Sequence, residues 1–211
     1  MKFASERAIS SARLQEFLRW SRSLFFITGS MALGYVGFTL VEAKLYQGSA
    51  KQALEIQIRM EKTSAVIQPS VIQPRPAAKQ GDVLGRMDIP RLGMSIAVLQ
   101  GTNSRNLRLG AGHIEGTPLP GESGNSALAG HRDTFFRGLK DVRTNDEIQF
   151  QTATGLFRYE VDWVKIVEPD DITVLQPSTA DSALTLVTCY PFYFLGPAPR
   201  RFVVRAHRYY P

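Results

Sequence analysis

Residues 24–41 read LFFITGSMALGYVGFTLV, without one charged side chain, and no other segment restricts the chain as strongly. At about 1.5 Å per residue, a helix of this length spans roughly 27 Å, close to the hydrocarbon thickness of a bilayer. Lys2, Arg7, Arg13, Arg19 and Arg22 precede it against Glu6 and Glu16, whereas Glu42, Lys44, Lys51, Glu55 and Arg59 follow in near balance. The excess of basic residues on the N-terminal side predicts a cytoplasmic N-terminus with everything after the span outside. A cleaved signal peptide is the competing reading. Against it stand the long N-terminal region, an apolar run longer than usual for a signal, and the lack of a clear small-x-small site after it. The expectation is an uncleaved, single-pass type II anchor in the cytoplasmic membrane, with the lipid bilayer as a partner.

The anchor divides the chain. Residues 1–23 are expected to form a basic cytoplasmic tail and 24–41 the transmembrane segment. Residues 42–81 read as a stalk: helix-forming up to about residue 62, then an extended spacer over 68–80 with Pro69, Pro74 and Pro76. Residues 82–211 hold a single folded domain. The net charge of +6 comes without a Cys/His metal-ligand spacing or an aromatic-basic nucleic-acid pattern. No cofactor, no metal and no nucleic acid are therefore expected, and the charge suits an anionic lipid or cell-wall surface as well as plain solvation.

Twelve phenylalanines, seven tyrosines and many β-branched residues turn the composition of this domain toward strands. Residues 85–94 and 95–99 flank a turn at Gly93, and residues 126–129 form another short strand. Residues 147–152 and 156–164 alternate about Gly155 as a hairpin, and residues 184–189 and 201–207 close the series. Residues 135–142 read as a brief helical turn. Short strands with almost no amphipathic helix predict an all-β closed barrel or sandwich.

Cys189, the chain's one cysteine, ends the apolar run Thr185-Leu186-Val187-Thr188-Cys189, and Tyr190-Pro191 stops that strand. An isolated thiol is either a small core residue or a nucleophile. Its place at a strand's C-terminal end favours the nucleophile, which needs a proton acceptor or a nearby cation near neutral pH. His131 follows residues 126–129 and Gly130, again at a strand end, and Arg201 supplies a permanent cation for a developing oxyanion. Taken singly, a hydrogen-bonded turn histidine and a solvated strand-end arginine are the preferred readings of these two. Arg200, its neighbour, points to the opposite face of a strand and is the second choice. His113 lies in the glycine-rich 110–116 loop and reads as a hydrogen-bonded loop histidine. Glu168, Asp170 and Asp171 read as a charged loop.

These motifs together resemble the sortases, membrane-anchored cysteine transpeptidases. Thr185 to Cys189 matches their T-L-x-T-C signature, Ala129-Gly130-His131-Arg132-Asp133 their histidine motif, and Arg200 to Arg205 their arginine strand. The wording around His113 and after Cys189 is most similar to the class D subgroup. The resemblance covers residues 82–207 and implies a closed eight-stranded β-barrel with short helices behind the N-terminal transmembrane helix. It implies catalytic roles for Cys189, His131 and Arg201, and substrate contact by Thr188 and Tyr190. It also implies cleavage of an LPxTG-like sorting signal after its threonine, with transfer to an amine of peptidoglycan precursor or of a pilin lysine. Residues 168–182 are then expected to select the signal. Cysteine peptidases of the papain and NlpC types place cysteine before histidine, unlike this chain. The non-enzymatic alternative is a tethered barrel that binds or scaffolds, with Cys189 as packing.

Overall fold

The computed structural model describes residues 2–65, 78–176 and 182–210. Most of the proline-containing spacer lies outside them. The chain divides into two compact units, Met1–Lys44 and Leu45–Pro211. Helix α1 (Lys2–Ala65) carries the uncharged segment, and its stretch Leu18–Tyr46 is long and apolar enough to cross a membrane. Phe25, Phe26, Leu33 and Phe38 are exposed along it, a surface that water solvates poorly.

The folded unit holds eight strands: β1 (Val83–Ile89), β2 (Met94–Gln100), β3 (Ala111–His113), β4 (Gly124–Ala129), β5 (Glu147–Gln151), β6 (Leu156–Val167), β7 (Ser182–Tyr190) and β8 (Arg200–Tyr209). They close into a barrel in the order β1-β2-β3-β4-β7-β8-β6-β5, with β5 returning to pair with β1. The barrel and its strand number are those expected from the sequence. Closure leaves no unpaired sheet edge, which removes the main hazard of a chain so rich in short strands.

Local chemistry explains the joints. Between β1 and β2, Pro90 opens a 3-10 turn and Gly93 ends it in the left-handed region, at φ 61°. Two pairs are parallel, β2 with β3 and β4 with β7, and parallel neighbours need a crossover rather than a hairpin. The first crossover is α2 (Ser104–Leu109), whose amides are capped by the Asn103 side chain bonding Asn106 N at 2.8 Å. Six residues carry too little periodicity to announce a helix, and α2 was not expected. The second crossover spans β5 and β6, so β7 enters the sheet beside a strand made long before it.

Alternation along the strands fills the interior. Met87, Ile89, Leu128, Phe150, Tyr159, Leu184, Leu186 and Val204 are all essentially inaccessible and form one cluster. Each such side chain contributes about 1.5–3 kcal/mol relative to exposure. β6 keeps its alternation only up to a bulge between Val161 and Trp163. The helical turn expected at residues 135–142 is the 3-10 turn Arg137–Asp141. His113 departs from expectation: it lies in β3, 2% exposed, not in a loop.

Candidate active site

The site is built from register. In β7, Leu184 and Leu186 point into the core cluster, so by alternation Thr185, Val187 and Cys189 share the outer face. Antiparallel pairing puts Cys189 opposite Arg201 on β8 and Thr185 opposite Arg205. Parallel pairing puts Val187 beside Ala129 at the end of β4, and the ladder continues one step further as Gly130 N donates to Val187 O at 3.2 Å. Two residues on from that pair stand His131 and Cys189. Cys189 and Arg201 are therefore neighbours across β7 and β8, about 4.8 Å apart by strand spacing, and His131 follows just beyond the end of β4, on the strand that flanks β7 on its other side.

Each position is held differently. Gly130 leaves no room for a side chain, since a Cβ there would lie 2.7 Å from the Phe136 ring. Phe136 is fully buried, and its amide donates to His131 O at 3.0 Å, folding the segment after β4 into a tight loop. That loop presents an exposed His131, and among the described residues nothing hydrogen-bonds its ring. Cys189 is half-buried and unpaired. Arg201 is half-buried, and its guanidinium donates to Ala198 O at 3.3 Å and Arg200 O at 3.1 Å. Those carbonyls belong to its own approach segment and fix the base of the fork.

Thr188 and Tyr190 do not open onto this face. Thr188 is 2% exposed, and its hydroxyl donates to Gly130 O at 2.7 Å, bracing the loop that carries His131. Tyr190 turns inward to an aromatic group, with its ring stacked on Phe202 at 6.3 Å and edge-on to Phe192 at 6.1 Å. The side chains expected to line the groove thus support it from beneath. Arg200 lies on the other face and pairs with Glu168 at 3.4 Å. Asp171 caps the 3-10 turn Ile172–Leu175 through Thr173. These partners account for two members of the acidic cluster in residues 168–171.

Two side chains near the site went unnoticed in the sequence. Arg132 donates to Phe194 O at 2.7 Å and Gly196 O at 3.0 Å, joining the loop after β4 to the segment after β7. Arg205 is half-buried on the outer face, where desolvation pulls its guanidinium below the usual arginine range. Neither has a local signal, because each acts on residues far along the chain. Asp133, which the sequence leaves open between orienting Arg132 or His131 and facing solvent from a turn, is exposed and makes no ion pair among the described residues.

A thiol and a permanently charged fork on adjacent strands, with an imidazole on the loop after the next strand, are the residue types that acyl transfer uses. Comparison with known proteins agrees with that chemistry. A family model for the sortase domain matches residues 87–209. The chain is 28% identical over 190 residues to sortase D of Bacillus subtilis (strain 168), covering 88% of this chain and 96% of that protein. A Clostridium perfringens sortase D5 transpeptidase superposes with a TM-score of 0.63 at 26% identity, over 78% of this chain and 98% of that one. Sortase C-1 of Streptococcus pneumoniae does so with a TM-score of 0.57 at 28% identity, over 65% and 74%.

Proposed function

Because the chain belongs to the sortase family of cysteine transpeptidases, we propose that Cys189, His131 and Arg201 transfer secreted proteins bearing an LPxTG-like sorting signal onto an amine at the cell envelope. The observation that carries this reading is their shared register: Cys189 stands opposite Arg201 and level with the loop carrying His131.

The Cys189 thiolate attacks the threonine carbonyl carbon of the signal, forming a C–S bond. The negative charge moves to the carbonyl oxygen, where Arg201 meets it with fixed N–H donors. As the tetrahedral intermediate collapses, the C–N bond breaks and a protonated His131 gives its proton to the departing amine. A thioester on Cys189 remains. An incoming amine attacks it, neutral His131 removes the excess proton, and the C–S bond breaks to restore the thiolate. No bond energy is drawn from elsewhere, since one amide is exchanged for another through a thioester. The acceptor is an amine of peptidoglycan precursor or of a pilin lysine.

Thr188 acts through the His131 loop, and Tyr190 through its backbone and the aromatic group beneath the thiol. The uncharged part of α1 anchors the enzyme, with residues 1–23 in the cytoplasm and the barrel outside.

Quenched LPxTG-type peptide, assayed with and without an amine acceptor, tests the proposal. Wild type should release the C-terminal fragment and form the amine adduct. Cys189→Ala should lose at least about 10³-fold in turnover. Equal activity in the two ends the proposal.

A further inference from the structure

Two arginines grip the segment between β7 and β8, and each belongs to a different part of the site. Arg132, next to His131 in the chain, donates from Nη2 to Phe194 O at 2.7 Å and Gly196 O at 3.0 Å. Arg201, opposite Cys189, donates from Nη1 to Ala198 O at 3.3 Å and Arg200 O at 3.1 Å. Every second carbonyl from Phe194 to Arg200 is therefore taken by a guanidinium. The Arg132 fork is also enclosed. Its central carbon lies 5.8 Å from the Phe194 ring centroid, and Nη1 is buried without a partner among the described residues.

The chain between the two grips is stiff. It reads Gly196-Pro197-Ala198-Pro199, and each proline fixes φ near about −65° and offers no amide hydrogen. Ala198, ahead of a proline, is itself confined to extended backbone. Gly196 is the joint, at φ 101°, with open space where a Cβ would stand. A shift of Gly196 O is therefore passed on to Ala198 O, because little freedom remains between them to absorb it. Ala198 O is one of the two acceptors on Nη1 of Arg201. Holding one nitrogen of a rigid planar fork sets the direction of its remaining donors, Nε and Nη2. Those are the donors left for an oxyanion.

We propose that Arg132 is a positioning residue for Arg201: it seats the segment 194–199, which through Ala198 O aims the guanidinium at the developing oxyanion. The link runs along the chain and not across the site, so Arg132 touches no reacting atom. This deepens the transpeptidase reading above and rests on it. A misaimed fork costs turnover more than binding, because the oxyanion exists only after attack.

The test uses the full chain in detergent micelles, the quenched LPxTG-type peptide and an amine acceptor, with the folding of each variant checked by its Tm. Arg132→Gln should lower kcat about tenfold or more and leave KM within about twofold of wild type. Gly196→Ala should do the same without touching either arginine, since alanine before proline does not keep φ 101°. Arg137→Gln removes a guanidinium that lies 5.8 Å from the Tyr193 ring of the same segment and holds none of its carbonyls. That variant should keep kcat within about twofold of wild type. In an Arg201→Lys background, where the fork is already gone, Arg132→Gln should cost no more than about twofold further. A full additional loss there, a change confined to KM, or an equal loss in Arg137→Gln overturns the proposal. Should Arg132→Gln not fold, Gly196→Ala carries the same expectations, alone and with Arg201→Lys. A wild type that cleaves no peptide overturns the transpeptidase reading instead. The positioning is then judged by NMR of the Arg201 Nε–H group. A resonance shifted in Arg132→Gln and Gly196→Ala, and not in Arg137→Gln, supports it; an unmoved resonance rejects it.

Discussion

Arg201 stands opposite Cys189 on the neighbouring strand, where a guanidinium supplies more than charge. Its planar fork offers several N–H donors in fixed directions, and the carbonyls of Ala198 and Arg200 already hold one of its nitrogens. Arg201→Lys keeps the charge and loses that geometry. A fall in kcat of about 10²-fold with KM nearly constant is the expected result, the size associated with losing one oxyanion donor. Steady-state kinetics on the peptide substrate decide it, and a change confined to KM would remove Arg201 from the oxyanion. Gly130 gives a second residue-scale expectation. A methyl there meets the buried Phe136 ring at 2.7 Å, so Gly130→Ala must displace either ring or backbone. Destabilisation of about 1–3 kcal/mol should accompany a loss of turnover as His131 shifts, read by denaturant titration and peptide cleavage; a variant equal to wild type in both refutes the close-packing account. At this scale the sequence was legible in placing Cys189 and Arg201 at the ends of strands, which the register then sets opposite one another. It misled for Thr188, because sitting next to a nucleophile along a strand means facing the opposite way.

β3 shows how an element of three residues depends on its surroundings. His113 is buried there, with Nε2 donating to Pro118 O at 2.9 Å and to the Thr117 hydroxyl at 3.0 Å. Thr117 gives its own proton to Ile114 O, which leaves its oxygen as the acceptor. Nδ1 faces the Gln100 side chain on β2 at 2.9 Å. Through Nε2 the ring ties β3 to the loop into β4, and burial pulls its pKa below the usual 6.5 despite those hydrogen bonds. The unfolded chain takes up a proton at His113 as pH falls below about 6.5, and the folded chain resists it. Stability from this group is therefore complete above that pH and drains away as pH falls toward the lowered folded value, by at most about 1.4 kcal/mol per pH unit. His113→Gln should flatten the acid side of the Tm–pH curve as pH falls below about 6.5; an unchanged slope by calorimetry would free the stability curve from His113. The Gly/His segment looked like a loop because three strand residues leave no alternation to detect. The hydrogen bonds that Asn125 makes to Thr185 and to the carbonyls of Val174 and Gln176 were equally hidden, since Asn125 and Thr185 lie 60 residues apart and meet only once β4 and β7 pair in parallel. The long hairpin and the strands at residues 184–189 and 201–207 were readable because their alternation is local.

For the whole molecule, the question is what covers the apolar stretch of α1. The barrel has a complete core of its own, so folding does not call for the apolar segment. Leu18–Tyr46 nonetheless leaves Phe25, Phe26, Leu33 and Phe38 exposed, and exposed apolar area of that order is stable in water only if covered. A bilayer would cover it at no conformational expense to the barrel, and on the proposed topology the basic residues from Lys2 to Arg22 would set the direction of insertion. The full-length product should therefore sediment with membranes, stay there through alkaline carbonate and leave only with detergent. Protease added outside intact spheroplasts should destroy an epitope at the C-terminus and spare one at the N-terminus. Exchanging Lys2, Arg7, Arg13, Arg19 and Arg22 for glutamine, with lysines added just beyond residue 42, should reverse which epitope is spared, because orientation follows the basic residues flanking the span. A shortened, soluble product would mean a cleaved signal instead, and an orientation indifferent to those charges would mean that the barrel's own folding pulls the chain across.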